Sequence, residues 1–328
     1  EISPNDREFL VVDGAGYVRK YDLLTGKIVG QLEFTTEVSD VEFILVNEEF
    51  SEYSILAGYW GGQMRLWEHD GQMVRKFEGH NNRVSGVSFN SDLAQVISAS
   101  DDFTAKIWDI QTGSLLKTLN CSVNNFVQMA MYSEKNDVFV LECMGRIEIW
   151  DTKTWTQIDS MDGYDLQKLH PEELLVSLFP LGQDGRFTIT NIPDKKEIYE
   201  FLLSDEYIVL NASFSSDGQW LAAADGQSTI MVWDVGNPTP KYYLLEEGMR
   251  CTDMECQQQS VTFSPDGDLL ASASEDRNVV RLWAVESGKQ IMTLDLRNNV
   301  NTVAFSPDGR YLIAGCDDGR IYIWSVIR

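Results

Sequence analysis

Hydrophobic and polar residues alternate along much of this chain, in short runs that are separated by polar turns. The clearest such stretch is Phe77 to Asp109, FEGHNNRVSGVSFNSDLAQVISASDDFTAKIWD. Its period-two alternation predicts strands over Val84 to Phe89, Ala94 to Ser100 and Thr104 to Trp108. The stretch is therefore a unit of short strands joined by tight turns.

Weaker copies of this unit recur along the chain, and the best of them cover residues 213–234, 261–284 and 303–325. Two copies carry the same turn, Ser264-Pro265-Asp266-Gly267 and Ser306-Pro307-Asp308-Gly309. In such a turn Pro presets φ, Asp bonds to its own backbone and Gly accepts a positive φ. We therefore expect a tight hairpin between the first two strands of each copy.

One position, the last residue of the third strand, marks the period of the copies. It is held by Tyr21, Trp67, Trp108, Trp150, Thr190, Trp233, Trp283 and Trp324. The intervals between these residues are 46, 41, 42, 40, 43, 50 and 41. Because the period persists over the whole chain, we expect a single domain over residues 1–328.

With its Gly79-His80 pair and its Trp108-Asp109 end, the unit resembles the Trp-Asp (WD) repeat, the building block of β-propellers. The resemblance covers nearly the whole chain. It implies an all-β fold class, in which four-stranded blades pack face to face around an axis and loops lie on two opposite faces. We expect a propeller of WD repeats with eight blades, of which the first and last are incomplete in this chain.

The blade count depends on how the chain ends are read. Residues 1–6 align with Phe305 to Asp308, and strands are predicted over 9–13 and 17–21, whereas the chain stops after a third strand at Trp324. A segment upstream of Glu1, in a longer chain, would supply the missing strands and close an eight-bladed ring. The alternative is a seven-bladed ring over 27–324, with 27–32 in its last blade and 1–22 as an appendage.

The copy that ends at Thr190 and the interval before Trp283 depart most from the pattern. Around Thr190 we predict a first strand over Tyr164 to Leu169 and a second over Leu174 to Phe179. The long interval holds an insertion, Glu246 to Gln259, whose low apolar periodicity predicts an irregular loop.

Composition excludes several classes of function. A net charge of −25 disfavours direct nucleic-acid binding, which depends on Lys and Arg. The chain has no run of 18 or more apolar residues and no signal peptide at its start, so we expect no membrane association. The five cysteines, an odd number spread mostly over separate repeats, predict reduced thiols and a cytoplasmic or nuclear location.

Four residues of one blade match a hydrogen-bonded set that is typical of WD repeats: His80, Asp102, Ser98 or Ser100, and Trp108. We interpret this tetrad as structural, because Trp and Ser donors buried between blades need partners. Although it contains Ser, His and Asp, it would point into the blade and is not read as a catalytic triad.

The remaining candidates for chemistry are weak. The three histidines, His69, His80 and His170, show no metal-ligand spacing. Cys251 and Cys256 form a close pair, but they have no second pair and no nearby histidine. The sequence therefore predicts no catalytic residue, no metal and no cofactor.

On the family model, loops that enter a first strand and turns that join second to third strands share the face most used for partners. The candidates for partner binding on that face are Trp60, Tyr59, Arg83, Phe103, Tyr164, Arg250, Arg277 and Asn278. Aromatic and Arg side chains on a rigid frame are typical interface anchors. For Trp60, the alternative is that its side chain folds back against a neighbouring blade.

The leading hypothesis is a non-catalytic scaffold that binds a partner protein, through an extended or basic segment, on this loop face. Two alternatives stay open: a structural subunit that contacts a multiprotein assembly through its blade edges, and a sensor or docking domain of a larger signalling protein. An enzyme would need convergent His, Arg or carboxylates at the same position of several blades, and none recur.

Overall fold

The fold consists of strands and turns. The computed structural model describes residues 3, 7–12, 18–32, 38–45, 53–68, 72–90, 94–122, 125–133, 137–162, 174–178, 186–191, 196–202, 209–225, 229–235, 237, 239–244, 258–274, 278–316 and 320–326. No helix lies within these ranges, so no described helix is long and apolar enough to span a membrane. The predicted all-β class is confirmed.

The chain divides into two compact units, Glu1–Tyr164 and Asp165–Arg328. The described strands of the first unit form four antiparallel sheets. These are β1 (Glu8–Val12), β2 (Val18–Asp22) and β3 (Ile28–Leu32); β4 (Val38–Leu45), β5 (Tyr53–Tyr59), β6 (Gln63–Glu68) and β7 (Met73–Glu78); β8 (Val84–Asn90), β9 (Gln95–Ser100), β10 (Thr104–Asp109) and β11 (Leu115–Asn120); and β12 (Val127–Tyr132), β13 (Val138–Cys143), β14 (Arg146–Asp151) and β15 (Gln157–Asp162).

The described strands of the second unit form four further antiparallel sheets. These are β16 (Leu174–Leu178), β17 (Arg186–Asn191) and β18 (Lys196–Leu202); β19 (Val209–Phe214), β20 (Trp220–Asp225), β21 (Ile230–Asp234) and β22 (Tyr242–Leu244); β23 (Gln258–Phe263), β24 (Leu269–Ser274), β25 (Val279–Ala284) and β26 (Lys289–Asp295); and β27 (Val300–Phe305), β28 (Tyr311–Cys316) and β29 (Ile321–Ser325).

Each of the eight aligned sequence positions lies in a different sheet, from Tyr21 in β2 to Trp324 in β29. In the first sheet β2 pairs with both β1 and β3, and Phe9 and Leu10 of β1 are buried. This pairing contradicts the seven-bladed alternative, which assigned residues 27–32 and 1–22 to different parts of the fold. A closed eight-bladed ring and a single domain over 1–328 remain predictions.

The irregular copies follow the sequence pattern in part. Strands β16 and β17 confirm that the copy around Thr190 forms a sheet. The predicted first strand of that copy, Tyr164 to Leu169, lies outside the described residues. Most of the predicted insertion also lies outside them, but Gln258 already belongs to β23, so the irregular segment ends earlier than the predicted Gln259.

Neighbouring sheets of the first unit pack through their apolar faces. Between the second and third sheets, for example, Leu56 and Met64 of one sheet meet Val96 and Trp108 of the next, and all four are buried. Burying each such side chain contributes roughly 1.5–3 kcal/mol relative to leaving it exposed. The Trp at the end of the repeat therefore fills the space between its own sheet and the preceding one.

The first strands of these sheets are also joined by hydrogen bonds. Ser85 donates its hydroxyl to the Val127 carbonyl of the next sheet (2.6 Å), and the Asp40 carboxylate accepts the Val87 N–H (2.8 Å). In the second unit, the Asn211 amide oxygen accepts the Val261 N–H at the corresponding place (3.1 Å). Polar residues near the start of β4, β8 and β19 thus tie each of these strands to the next sheet.

Most of the sheets also have a β-bulge near the start of their last strand, which is an edge strand. The pairing register of β10 with β11, for example, shifts between Ile107 and Trp108 and leaves Leu116 unpaired. The corresponding unpaired residues whose side chains are described are all aliphatic and exposed: Val29, Val74, Leu116, Ile158 and Ile291.

Candidate functional site

The predicted tetrad forms one continuous chain of hydrogen bonds in the third sheet. The Trp108 indole N–H donates to the Ser98 hydroxyl (2.9 Å), which donates to His80 Nε2 (2.8 Å). On its other side, His80 Nδ1–H donates to the Asp102 carboxylate (2.9 Å). Of the two serines that the sequence left open, Ser98 takes this place, while the Ser100 hydroxyl donates to the Asn82 carbonyl (3.2 Å).

Asp102 carries the negative charge of the tetrad, and the other three side chains are neutral. Burial lowers the pKa of His80 despite its hydrogen bond to Asp102, so the ring is neutral at pH 7. Burial opposes ionisation of Asp102, but hydrogen bonds from His80 and Thr104 outweigh it and lower the pKa of its carboxyl below the usual value. Because Ser98 and Trp108 are buried and the Ser98 hydroxyl is hydrogen-bonded to both Trp108 and His80, the tetrad presents no nucleophile to solvent.

The fourth sheet satisfies its Trp in another way, which the sequence analysis missed. The Trp150 indole N–H donates to Glu148 Oε2 (3.1 Å), and Glu148 Oε1 accepts the backbone N–H of Ser122 (2.8 Å) and its hydroxyl. The Glu148 carboxylate thus links the Trp of its sheet to the loop before the first strand, a link that Ser98 and His80 make in the third sheet. In the second unit, Trp283 donates to the Ser272 hydroxyl (3.1 Å), which is the counterpart of the Trp108–Ser98 bond.

Two predicted partner-binding residues, Trp60 and Arg83, lie together at the loop ends of the second and third sheets. The Arg83 guanidinium sits 4.9 Å from the centre of the Trp60 indole, in cation–π geometry, and half of Trp60 is exposed. The Trp60 turn packs directly on the Arg83 loop, because Gly62 has a φ of +78° and a Cβ there would lie 2.5 Å from the His80 carbonyl oxygen. Trp60 therefore stays at the surface, held by Arg83.

A second pair of exposed rings, Phe103 and Phe126, lies at the same ends of the third and fourth sheets. Phe103 is 43% and Phe126 is 37% exposed, and their ring centres are 5.1 Å apart. Phe103 has a φ of +71°, a left-handed conformation that is strained for a bulky residue and is often found at functional sites. Met144, in the turn between β13 and β14, adds a further exposed apolar side chain.

We refer to Trp60, Arg83, Phe103, Phe126 and Met144 together as the aromatic patch. Trp60, Arg83 and Phe103 were predicted from the sequence, whereas Phe126 and Met144 were not. Both missed residues occupy the loop classes that were singled out, since Phe126 directly precedes β12 and Met144 follows β13. Reading every apolar residue in those loops would have found them.

Other predicted partner-binding residues fare differently. The prediction that Tyr59 binds a partner is wrong, because Tyr59 is the last residue of β5 and is buried among Leu10, Val18 and Trp67. Tyr164, Arg250 and Arg277 lie outside the described residues. Asn278 is partly exposed before β25, with a φ of +55°, and its role stays a prediction.

The prediction of reduced thiols is wrong for one pair. Cys121 and Cys143 form a disulfide, with Cα atoms 5.9 Å apart. Cys121 follows β11 of the third sheet and Cys143 ends β13 of the fourth, so the fold brings together two residues 22 positions apart. Cys316 is free and buried, and Cys251 and Cys256 lie outside the described residues.

Comparison with known families identifies the repeats. The family model described as "WD domain, G-beta repeat" matches residues 71–109, 198–234, 256–283 and 288–325. These are the stretches that contain the four copies with the clearest sequence pattern.

Curated relatives extend over most of the chain. Nuclear distribution protein nudF of Aspergillus niger is 25% identical over 346 residues, covering 98% of this chain and 77% of the relative. The serine-threonine kinase receptor-associated protein of Dictyostelium discoideum is 26% identical over 317 residues, covering 90% and 94%. The chain spans 60–77% of the length of the fungal nuclear distribution relatives that it matches.

Solved structures show the same fold at low sequence identity. The computationally designed Ika8 protein superposes with a TM-score of 0.78 at 20% identity, covering 98% of this chain and 93% of that one. The Cps50 (Swd1) beta-propeller domain of Myceliophteria thermophila gives a TM-score of 0.64 at 15% identity, covering 92% and 99%. The chain therefore contains WD40 repeats, which the family model matches in four places, and has the β-propeller fold.

Proposed function

We propose that this chain is a non-catalytic scaffold that binds a partner protein through the aromatic patch. The observation that carries the proposal is the exposure of Trp60, Phe103, Phe126 and Met144 on neighbouring loop ends of the first unit. Water-exposed aromatic rings of this size are the side chains that supply most binding energy when a partner covers them.

Contacts within the aromatic patch restrict the conformations of its side chains. Arg83 stacks on Trp60, and Phe103 contacts Phe126, so each ring has lost part of its side-chain freedom before a partner arrives. The Asp101 N–H donates to the Arg83 carbonyl (3.0 Å), which links the loop of the first pair to the turn of the second. A partner would therefore bind with a smaller loss of conformational entropy than on a flexible surface.

The partner we propose is a protein segment that is extended and carries basic residues. The net charge of −25 attracts a basic segment and repels nucleic acid, while the patch supplies apolar anchoring. One relative is named a receptor-associated protein, which fits a role in association. We also propose a cytoplasmic or nuclear location, membership of a larger complex or multidomain chain, and no enzymatic activity.

A patch variant tests this proposal directly. We would combine Trp60→Ala, Phe126→Ala and Phe103→Asn, because Asn tolerates the left-handed backbone at position 103. Partners would be identified by crosslinking to the wild-type protein, and their affinity measured by calorimetry. We expect the patch variant to bind at least about tenfold more weakly, since buried aromatic anchors each contribute about 2 kcal/mol or more.

The matched control is Leu116→Ala with Ile158→Ala, which removes comparably exposed apolar side chains from edge strands of the same unit. The control should bind like the wild type. Equal affinity of patch variant and wild type would overturn the proposal.

A second candidate function is that of a structural subunit that contacts an assembly through sheet edges. It is favoured by the exposed aliphatic residues at the edge-strand bulges, which are Val29, Val74, Leu116, Ile158 and Ile291. The same two variants separate the candidates, because the edge variant and not the patch variant would then lose binding.

A further inference from the structure

Three metal-ligating side chains converge beneath the loop that carries Phe126. The sulfurs of Cys121 and Cys143 and a carboxylate oxygen of Glu148 all lie within 4.8 Å of one another, and all three residues are buried. They come from three separate places in the chain: the loop after β11, the end of β13 and the middle of β14. Ser122, the residue after Cys121, is exposed.

Glu148 is buried and forms no salt bridge among the described residues; Arg146, two residues earlier on β14, donates to Ser160 instead. Its hydrogen-bond donors are the Ser122 N–H, the Ser122 hydroxyl and the Trp150 indole N–H, and all three are neutral. Carboxylates that are withdrawn from water are normally paired with a cation or coordinate a metal. The Glu148 carboxylate has no salt-bridge partner, and the two cysteine sulfurs beside it could bind a cation together with it.

We propose that, in the dithiol form, Cys121, Cys143 and Glu148 bind a thiophilic divalent cation of the Zn²⁺ class. Thiolate sulfur and carboxylate oxygen together are a ligand set that Zn²⁺ accepts, with three protein ligands and one open position. At a zinc–sulfur distance of about 2.3 Å, the two sulfurs of a tetrahedral site are about 3.8 Å apart. Side-chain rotation from the disulfide reaches this separation, because the Cα atoms are already 5.9 Å apart.

The metal-bound state and the disulfide state exclude each other, because both use the sulfurs of Cys121 and Cys143. Thiol–disulfide exchange with a dithiol reductant converts the disulfide state into the dithiol state that binds the metal. A dithiol reductant attacks the Cys121–Cys143 bond, which breaks as two electrons and two protons enter, and the reductant becomes a disulfide. The cation then displaces the two thiol protons as both thiolates coordinate it. Oxidation by a disulfide of the same chemical class reverses the sequence and releases the cation.

The test uses Co²⁺ as a spectroscopic probe on the full chain. The protein is reduced with dithiothreitol, desalted without oxygen and titrated with Co²⁺. We expect one equivalent to produce a thiolate-to-cobalt charge-transfer band and the visible bands of tetrahedral Co²⁺, both removed by Zn²⁺. Oxidised protein should give neither, and a reduced protein without these bands overturns the proposal.

Variants assign the signal to the site. Cys143→Ser should abolish the charge-transfer band, and Glu148→Gln should weaken Co²⁺ binding roughly tenfold or more. The control, Cys251→Ser with Cys256→Ser, removes the other close cysteine pair and should leave binding unchanged; loss of the signal in this control would assign it elsewhere and overturn the proposal.

A measurement on the wild type avoids dependence on variants that fail to fold. Iodoacetamide labelling of the reduced protein, followed by peptide mass spectrometry, should show Zn²⁺ protecting Cys121 and Cys143 specifically. Equal labelling of both residues with and without Zn²⁺ counts against the site.

Discussion

The Ser98 hydroxyl is hydrogen-bonded to two buried rings, which also contact each other edge to face. It donates to His80 Nε2 and accepts from Trp108, whereas the Ser272 hydroxyl of the second unit accepts from Trp283 alone among the described residues. Since a buried polar group without a partner destabilises the fold by about 1–3 kcal/mol, the two serines differ in what their removal exposes.

Replacing Ser98 by Ala leaves both the His80 and the Trp108 nitrogens unpaired. We expect the free energy of unfolding to fall by about 2–4 kcal/mol, against about 1–2 kcal/mol for Ser272→Ala. Urea denaturation of the two variants measures the difference. A loss at Ser272 as large as that at Ser98 would contradict the assignment of the tetrad.

Asp40 and Asn211 hold equivalent bonds to the next sheet, but only Asp40 carries a charge. Burial raises the pKa of Asp40 to about 6, partly offset by hydrogen bonds from the Val87 and Val41 N–H groups and by the attraction of Arg83. Because the folded-state pKa lies above the unfolded value, the folded protein binds the proton more tightly. Ionisation of Asp40 therefore destabilises the fold increasingly from about pH 4 to about pH 6, and fully above that.

Asp40→Asn should keep the bond to Val87 and remove the buried charge, as Asn211 does naturally. We expect the variant to be about 1–2 kcal/mol more stable than the wild type at pH 7.5, with the gain shrinking towards pH 4.5. Thermal unfolding at both pH values checks this. A gain that is larger at the lower pH would show that the sign is wrong.

Strand β11 shows how a single element divides its residues between core and solvent. Leu119 is 3% exposed and packs between the third and fourth sheets, whereas Leu116, at the bulge, is 39% exposed. Both are leucines three positions apart on an edge strand, so their contributions to stability differ through burial alone.

Leu119→Ala should lower the free energy of unfolding by about 2–5 kcal/mol, because it leaves a cavity in the core. Leu116→Ala should change it by about 0.5 kcal/mol or less. Chemical denaturation of both variants gives the comparison, and similar losses at the two positions would mean that the edge strand is covered in solution.

Across the molecule, strand positions that depend on the period of the repeats were predicted from the sequence. Burial and contacts that depend on how the chain folds were not. Strand positions followed from alternation and spacing, and the His80 tetrad followed from the resemblance to WD repeats. The burial of Tyr59 did not, because every described side chain of β5 is buried and alternation carries no information there. The Cys121–Cys143 contact was hidden for a different reason: it joins two sheets, and the two cysteines lie 22 positions apart with no sequence signal that pairs them.

The acidic residues of this chain do not all lie at the surface. Glu148 is fully buried, and its carboxylate accepts hydrogen bonds from the Trp150 indole and from the Ser122 backbone N–H. Its position, two residues before the Trp of the repeat, corresponds to Lys106 in the third sheet. The two repeats therefore satisfy the Trp indole N–H differently: Ser98 accepts it in the third sheet and Glu148 accepts it in the fourth, whereas Lys106 donates to Thr118.

The bulges at the edge strands also bear on how the protein behaves at high concentration. A regular edge strand is a template on which another copy can add its own strand and begin to aggregate. Here the extra residue interrupts the row of free N–H and C=O groups near the start of these strands, so a second copy cannot continue the ladder in register. Together with mutual repulsion at a net charge of −25, this irregularity favours separate molecules over fibrils despite the exposed aliphatic side chains.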